Sequence, residues 1–312
     1  MVGSTDKNNI ELNTRSGFVT VFGKPNAGKS TLMNALLNFN LSIVNRKVQT
    51  TRNRISGILT ENNYQIVFID TPGVLSPKYE LHKFMLSEIA SSFEEADILL
   101  MIVDAAAKDS FEDVRYVYES YEKNFGDKKK ILALNKADIA GRDVLMPLTA
   151  KISEAFGFDD IVPVSALKGE NIDRLKEVIV KFLPEGHFFY DEDTLTDKPE
   201  KFFAAEILRE KILSLYHDEI PYSVMVSIQE FTERSDKLVY INAEIIVERE
   251  SQKAVIIGKG GESLKKTGAY ARKSLEHFLG KKVFLELFVK VRKGWRNNKN
   301  FVNSSMIRNN PS

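Results

Sequence analysis

Between Gly17 and Leu183 short apolar runs alternate with longer helix-like stretches. Phe18–Phe22, Tyr64–Ile69, Ile98–Val103, Ile131–Leu134 and Ile161–Val164 read as buried strands. Thr31–Leu37 reads as helix. Such alternation predicts an α/β unit, a mainly parallel sheet with helices on both faces. Ligands of such sheets bind at the carboxyl ends of the strands. A polar stretch, 185–200, contains Asp191-Glu192-Asp193 and Asp197-Lys198-Pro199 and reads as a linker. The pattern then changes. Helix Phe202–Tyr216, strands Ser223–Glu230 and Leu238–Glu248, helix Glu262–Leu279 and strand Val283–Val291 predict a smaller α+β unit.

Composition narrows the class. A chain of 312 residues suggests two domains at about 150 residues each. Its 43% hydrophobic and 28% charged residues exclude a disordered chain, a collagen-like repeat and a membrane bundle. The apolar stretch Ile98–Val103 is closed by Asp97 and Asp104. It falls far short of the roughly 20 residues of a membrane span. Met1–Ser16 is polar, without the apolar core of a secretory signal. The absence of cysteine excludes disulfides, thiolate metal sites and cysteine nucleophiles, and is compatible with a reducing cytosol. Net charge is +1, but it is unevenly placed: Ser251–Ser312 carries 14 basic and 3 acidic residues. A basic end beside an acidic remainder suggests a polyanionic partner, against the alternative of a solvated basic tail.

Gly23-Lys24-Pro25-Asn26-Ala27-Gly28-Lys29-Ser30 matches G-x-x-x-x-G-K-[ST] between a strand and a helix that continues through Thr31. Glycines let backbone N–H groups turn inward around a phosphate, and the helix N-terminus adds its positive end. Lys29 would place a cation on the β- and γ-phosphates, and the Ser30 hydroxyl could ligate Mg²⁺. Asp70-Thr71-Pro72-Gly73 closes the strand Tyr64–Ile69. There Asp70 could hold Mg²⁺ directly or through water, and the Gly73 N–H could reach the γ-phosphate. Asn135-Lys136-Ala137-Asp138 follows another strand. The Asp138 carboxylate can accept two hydrogen bonds from the guanine edge, and adenine would leave it unpaired. Ser165-Ala166-Leu167 could offer a backbone N–H to the guanine O6, a weak signal by itself.

These four pieces, in this order, resemble the GTPase superfamily of P-loop proteins over about 17–183. The resemblance implies that Thr50 or Thr51, in Gln49-Thr50-Thr51-Arg52, belongs to the first switch and contacts Mg²⁺ and the γ-phosphate. Thr51 is preferred, giving Lys29, Thr51 and Gly73 as candidate catalytic residues. Ras-like enzymes carry a water-orienting glutamine where this chain has Val74. No built-in arginine finger is evident, so slow intrinsic hydrolysis is expected. Related GTPases with a hydrophobic residue there often carry asparagine at the position of Asn26, where it helps hold K⁺ beside the phosphates. K⁺ stimulation is therefore an expectation.

In the second unit Val255-Ile256-Ile257-Gly258-Lys259-Gly260-Gly261 places a G-x-x-G loop between an apolar run, read as strand, and a helix. Leu264, Gly268, Ala271, Leu275 and Phe278 form that helix's apolar face, with Lys265, Lys266, Arg272 and Lys273 largely off it. A G-x-x-G loop at a helix N-terminus lets a sugar-phosphate backbone approach closely, as in KH domains. The element order resembles the second KH topology. The rival reading of the charge is attraction to any polyanion, including anionic membranes. Trp295 could stack on a base, but packing is the favoured reading.

A single GTPase domain followed by a KH domain resembles the Era family of bacterial ribosome-assembly GTPases. The resemblance is carried also by Gln49-Thr50-Thr51-Arg52, Ala205-Glu206-Ile207, Arg209-Glu210-Lys211, Pro221-Tyr222-Ser223 and Gly268-Ala269-Tyr270-Ala271-Arg272. The resemblance covers nearly all of Gly17–Arg296, and the chain is expected to divide into a flexible N-terminus (1–16), a GTPase domain (17–184), a linker (185–200) that carries changes in domain orientation, a KH domain (201–297) and a C-terminal tail (298–312). The resemblance implies GTP and GDP as ligands and the single-stranded 3′ end of 16S ribosomal RNA as target. Association with the assembling small (30S) subunit follows, as does a cytoplasmic monomer, with peripheral association with the inner membrane in some members. Asp191 and Thr267 depart from the family's pattern, and Thr267 is expected to weaken packing locally. The alternative is a signalling or membrane-associated GTPase whose basic domain binds lipid.

Overall fold

The computed structural model describes residues 14–45, 47, 49–74 and 76–309. The first unit is built from β1 (Arg15–Phe22), α1 (Lys29–Leu37), β2 (Ile55–Glu61), β3 (Tyr64–Asp70), α2 (Glu80–Glu95), β4 (Ile98–Asp104), α3 (Ser110–Phe125), β5 (Lys129–Asn135), α4 (Ala137–Ala140), α5 (Arg142–Ala155), β6 (Asp160–Pro163) and α6 (Ile172–Phe182). The six strands lie in the order β2-β3-β1-β4-β5-β6, all parallel except β2, which runs against β3. The apolar runs of β1, β3, β4 and β5 are buried on both faces because helices cover both sides. One core beneath α1 and α6 holds Val19, Leu100 and Leu175, and another beneath α2, α3 and α5 holds Phe22, Phe93 and Leu132. Strand β2 has no counterpart among the expected strands. It lies at the sheet edge and takes its register from the hairpin to β3.

The second unit comprises α7 (Glu200–Leu215), α8 (Ile220–Ser223), β7 (Met225–Ser235), β8 (Leu238–Val247), α9 (Glu250–Ile257), α10 (Glu262–Leu279), β9 (Lys282–Val291) and α11 (Lys299–Asn309). Its sheet has the order β7-β8-β9, antiparallel then parallel. Helices α7 and α10 cover one face through Leu208, Ile212, Ala271 and Leu275 against Ile228, Ile241 and Ile245. The apolar run at Val255–Ile257, expected as strand, is the last turn of α9. Gln252 and Ile256, four residues apart, are the buried positions of this helix, the spacing of one helical face.

Four further expectations need revision. Arg15 and Ser16, assigned to a flexible N-terminus, belong to β1; residues 1–13 lie outside the described set. The 185–200 linker is strapped across β1, β3 and β2. Ser16 Oγ donates to His187 O at 2.7 Å, Gln65 Oε1 accepts from Phe189 N at 2.8 Å, and Ile58 N donates to Leu195 O at 2.9 Å. A segment so tied does not swing freely. The expected tail contains helix α11, whose Val302 and Met306 pack with Trp295 against Leu81 and Met85 of α2. Trp295 is fully buried, with its indole N–H on Ser223 O at 3.0 Å, which is the packing reading. Thr267 does not loosen the core. Its buried hydroxyl donates to Ser263 O at 2.9 Å and meets Tyr216 Oη at 2.8 Å, and that phenol also reaches Ile256 O.

Candidate functional site

The loop 23–30 joins the carboxyl end of β1 to α1. Its fold depends on residues without side chains at two places. A Cβ on Gly23 would lie 2.3 Å from Ile102 O, and one on Gly28 would lie 2.2 Å from Asn135 Nδ2. Gly28 also has φ 103°, which L side chains rarely adopt. Lys29 is buried within the loop, its ammonium donating to Gly23 O at 3.1 Å and Lys24 O at 2.9 Å. Burial pushes that amine down to about 8, opposed by the charge of Asp70. An arriving phosphate would favour its charged form.

Ser30, Thr51 and Asp70 converge. Ser30 Oγ donates to Asp70 Oδ2 at 2.7 Å and lies 3.0 Å from Thr51 Oγ1, which itself reaches Asp70 Oδ2 at 3.4 Å. Asp70 Oδ1 is buried without a partner, and burial pushes the carboxyl above the ordinary range despite Ser30 and Lys29. A buried carboxylate short of positive charge beside two hydroxyls fits a hard, oxygen-loving cation such as Mg²⁺. Thr50 turns away, donating to Lys47 O at 2.6 Å.

Pro25, Asn26, Thr31 and Gly73 line the same cleft as Lys29, Ser30 and Thr51. Lys24 points outward to Asp113 and Tyr116. Asn26 is exposed, with φ 64°. Thr71 and Pro72 are buried under the cleft, Thr71 Oγ1 donating to Val21 O at 2.8 Å. Ala27 is core. Val74 is core too, its N–H on Gly23 O at 3.2 Å, so it presents no polar group to a water.

At the other end of the loop Asn135 Nδ2 donates to Ala27 O at 2.8 Å, and its Oδ1 accepts from Ala166 N at 3.0 Å. Asn135 thus fastens the phosphate loop to the segment 165–167. Lys136 pairs with Asp104, while Asp138 and Leu167 are exposed at the rim and Ser165 is buried. Of the 165–167 segment, expected to offer a backbone N–H to the guanine O6, the Ser165 N–H donates to Glu170 O at 3.1 Å and the Ala166 N–H to Asn135.

The second candidate surface is a groove of about 410 Å³ between α10 and β9, lined by Gly261, Leu264, Lys265, Gly268, Ala269, Arg272, Leu285 and Leu287. Gly258, Lys259 and Gly260 form the turn that leads into α10. A Cβ on Gly258 would meet Ser263 Oγ at 2.3 Å, whereas one on Gly260 meets nothing within 4 Å. Lys265 and Arg272 line the groove. Lys266 and Lys273, expected beside them, are exposed on α10 outside its lining, because their positions fall about 100° further round the helix. Leu285 and Leu287, the apolar floor, were not anticipated.

Nor was the contact between the two units. Arg52, next to Thr51, is buried and donates to Val224 O at 2.6 Å and Pro221 O at 3.2 Å. Burial pushes its guanidinium down to about 9, Arg209 adding to the effect and Glu206 opposing it. Arg209 in turn reaches the carbonyls of Gln49 and Thr50. The signal was present in α7, where Glu206 and Arg209 are charged residues, three apart, within an otherwise apolar buried stretch.

Residues 18–136 match the family described as 50S ribosome-binding GTPase, and 219–296 match the KH domain. The chain is 46% identical to GTPase Era of Geotalea uraniireducens over 288 residues, 92% of this chain and 96% of that one. It is 42% identical to GTPase Era of Staphylococcus haemolyticus, over 92% and 95% of the two chains. The fold is similar to that of Era in complex with MgGDPNP and nucleotides 1506–1542 of 16S ribosomal RNA, with TM-score 0.86 and 40% identity over 94% of this chain and 98% of that one. A variant of Aquifex aeolicus Era bound to GDP.AlF4- gives TM-score 0.87 and 40% identity over 94% and 99%.

Proposed function

The chain belongs to the Era family of GTPases, and on that premise we propose that it is a cytoplasmic GTP-driven switch that holds the single-stranded 3′ end of 16S ribosomal RNA during assembly of the small subunit. The observation that carries the RNA half is the groove. Gly260 opens a close approach for a sugar-phosphate backbone, Lys265 and Arg272 supply charge, and Leu285 and Leu287 give a flat apolar floor for bases.

On the nucleotide side each residue has a task. The loop's N–H groups and Lys29 bind the phosphates, the Gly73 N–H faces the γ-phosphate, and Asp138 reads guanine. Ser30, Thr51 and Asp70 are the residues that would hold Mg²⁺, which when bound supplies positive charge at the β- and γ-phosphates. Loss of the γ-phosphate removes the partner of Thr51 and Gly73 and lets both segments relax. Because the 185–200 segment is tied down, coupling to the RNA groove runs instead through Asn45, Lys47 and residues 49–52, which touch both the nucleotide cleft and α7–α8.

Gly260→Asp tests the RNA half. The added side chain enters open space, and although Gly260 has φ 61°, aspartate is one of the few residues that visit this left-handed conformation as single residues, so the fold is retained at a modest cost while the carboxylate faces the phosphates of bound RNA. RNA affinity at fixed salt is expected to fall at least ~10-fold, with GTP affinity unchanged. Unaltered RNA binding would contradict the groove assignment. Binding to anionic vesicles in preference to RNA would favour the lipid alternative.

Val74 leaves the attacking water without a side-chain partner, so intrinsic hydrolysis is slow. A monovalent cation held beside Asn26 would replace the charge of an arginine finger. Turnover in K⁺ is expected to exceed that in Na⁺ by on the order of 10-fold, and the difference is expected to vanish in Asn26→Ala. Equal turnover in the two buffers would rule this out.

A further inference from the structure

We propose that Arg209, anchored by Glu206, is a positioning residue for the nucleotide site, holding from the second half of the chain the backbone that delivers Thr51 to Ser30 and Asp70. The anchor is local. On α7 the Arg209 Nε donates to Glu206 Oε1 at 2.9 Å and Nη2 bonds to Oε2, a two-point pair three residues apart with both side chains buried. This leaves the outer edge of the guanidinium aimed away from its own helix. There Nη1 donates to Gln49 O at 3.4 Å and Nη2 to Thr50 O.

Those two carbonyls immediately precede Thr51. Gln49 has φ 62°, a conformation that a non-glycine residue holds only when its surroundings impose it. A buried cation on its carbonyl, and on the next, is such a surrounding, because a charge-assisted hydrogen bond is roughly twice as strong as a neutral one. The remaining contacts bracket the same turn. Asn45 Nδ2 donates to Ser214 Oγ at 3.0 Å, and the Lys47 ammonium lies on the carbonyls of Leu213 and Tyr216 at the end of α7. On the far side of Thr51, Arg52 reaches α8. Arg209 is the member that fixes the peptides next to Thr51, and its guanidinium plane makes two parallel contacts that lysine cannot copy.

The consequence is selective. Only a triphosphate presents a γ-phosphate to Thr51, so holding Thr51 in place favours GTP over GDP. Loss of the arginine therefore acts mainly on the triphosphate, GDP keeping only the share of Thr51 that serves Mg²⁺. The proposal rests on the assignment of Thr51 above, so Thr51→Ala serves as the reference.

The test is nucleotide affinity, measured for the full chain with GDPNP and with GDP in Mg²⁺ buffer. Removing Arg209 alone would strand a buried carboxylate, so the principal variant is the double one, Glu206→Gln with Arg209→Met, which roughly keeps volume and removes both charges of the pair together, their opposed effects on the neighbouring Arg52 cancelling in sign. It is expected to bind GDPNP on the order of 10-fold more weakly, with GDP affinity within about twofold of the parent. Arg209→Lys, which keeps the charge but not the two-point contact, is expected to shift the same ratio in the same direction and carries the test if the double variant does not fold. An equal loss for GDP and GDPNP would assign Arg209 a merely structural role and overturn the proposal, as would no loss for either. If Thr51→Ala also failed to separate the two nucleotides, the Thr51 assignment itself would fall. If Thr51→Ala separated them and the Arg209 variants did not, only the present inference would.

Discussion

Lys29→Ala is expected to slow single-turnover GTP hydrolysis by about 10²- to 10³-fold and to weaken GTP binding at least tenfold. The reasoning starts from the burial of the ammonium within its own loop, on the carbonyls of Gly23 and Lys24. Water has been exchanged for fixed dipoles, so the charge is poorly screened when phosphate arrives and strengthens as the γ-phosphate takes on charge in the transition state. The same burial lowers the amine to about 8, which shows that the charged form is held at a cost before nucleotide binds. Removing it therefore leaves the nucleotide-free fold intact, and a thermal melt separates the two effects. Turnover within threefold of the parent would show that Lys29 does not meet the phosphates.

Trp295→Ala is expected to cost about 3–5 kcal/mol of stability. Trp295 is the largest of the fully buried side chains and packs with Leu81 and Met85 from α2, Met225 and Ile246 from the second sheet, and Val302 and Met306 from α11. Truncation opens a cavity where three elements meet and strands the Ser223 carbonyl that its indole N–H satisfies. Trp295→Phe keeps most of the apolar volume and is expected to cost less. Because this is the only tryptophan, urea unfolding has to be followed by circular dichroism. A loss below about 1 kcal/mol, together with weakened RNA binding, would return Trp295 to the base-stacking role.

The nucleotide site was legible because its chemistry is local. Gly23–Ser30 is one turn between one strand and one helix, and Asp70 and Asn135 end strands whose apolar runs announce themselves. Strand β2 was not, because its residues follow a tertiary edge rather than an apolar run. The last turn of α9 read as strand because three consecutive β-branched residues favour that state, and only packing against α10 and β9 decides for helix. The groove was half legible. Its glycines and cations are sequence features, but the floor of Leu285 and Leu287 comes from a strand that carries no motif. Helix α11 and the 185–200 strap looked like polar tail and linker because a few buried contacts hold them, made by Val302 and Met306 in one case and by backbone groups in the other. The contact of Arg52 and Arg209 across the two units is long-range, and no spacing rule brings residues 160 positions apart together.

Control of RNA affinity by nucleotide state is tested by titrating a labelled RNA matching the 3′ end of 16S ribosomal RNA into the protein. GDPNP, GDP and no nucleotide are compared at one salt concentration, because salt alone moves such affinities by orders of magnitude. Binding on the order of 10-fold tighter with GDPNP than with GDP is the predicted result. Equal affinity in all three conditions would contradict it and leave a GTPase and an RNA-binding module that share a chain without exchanging information.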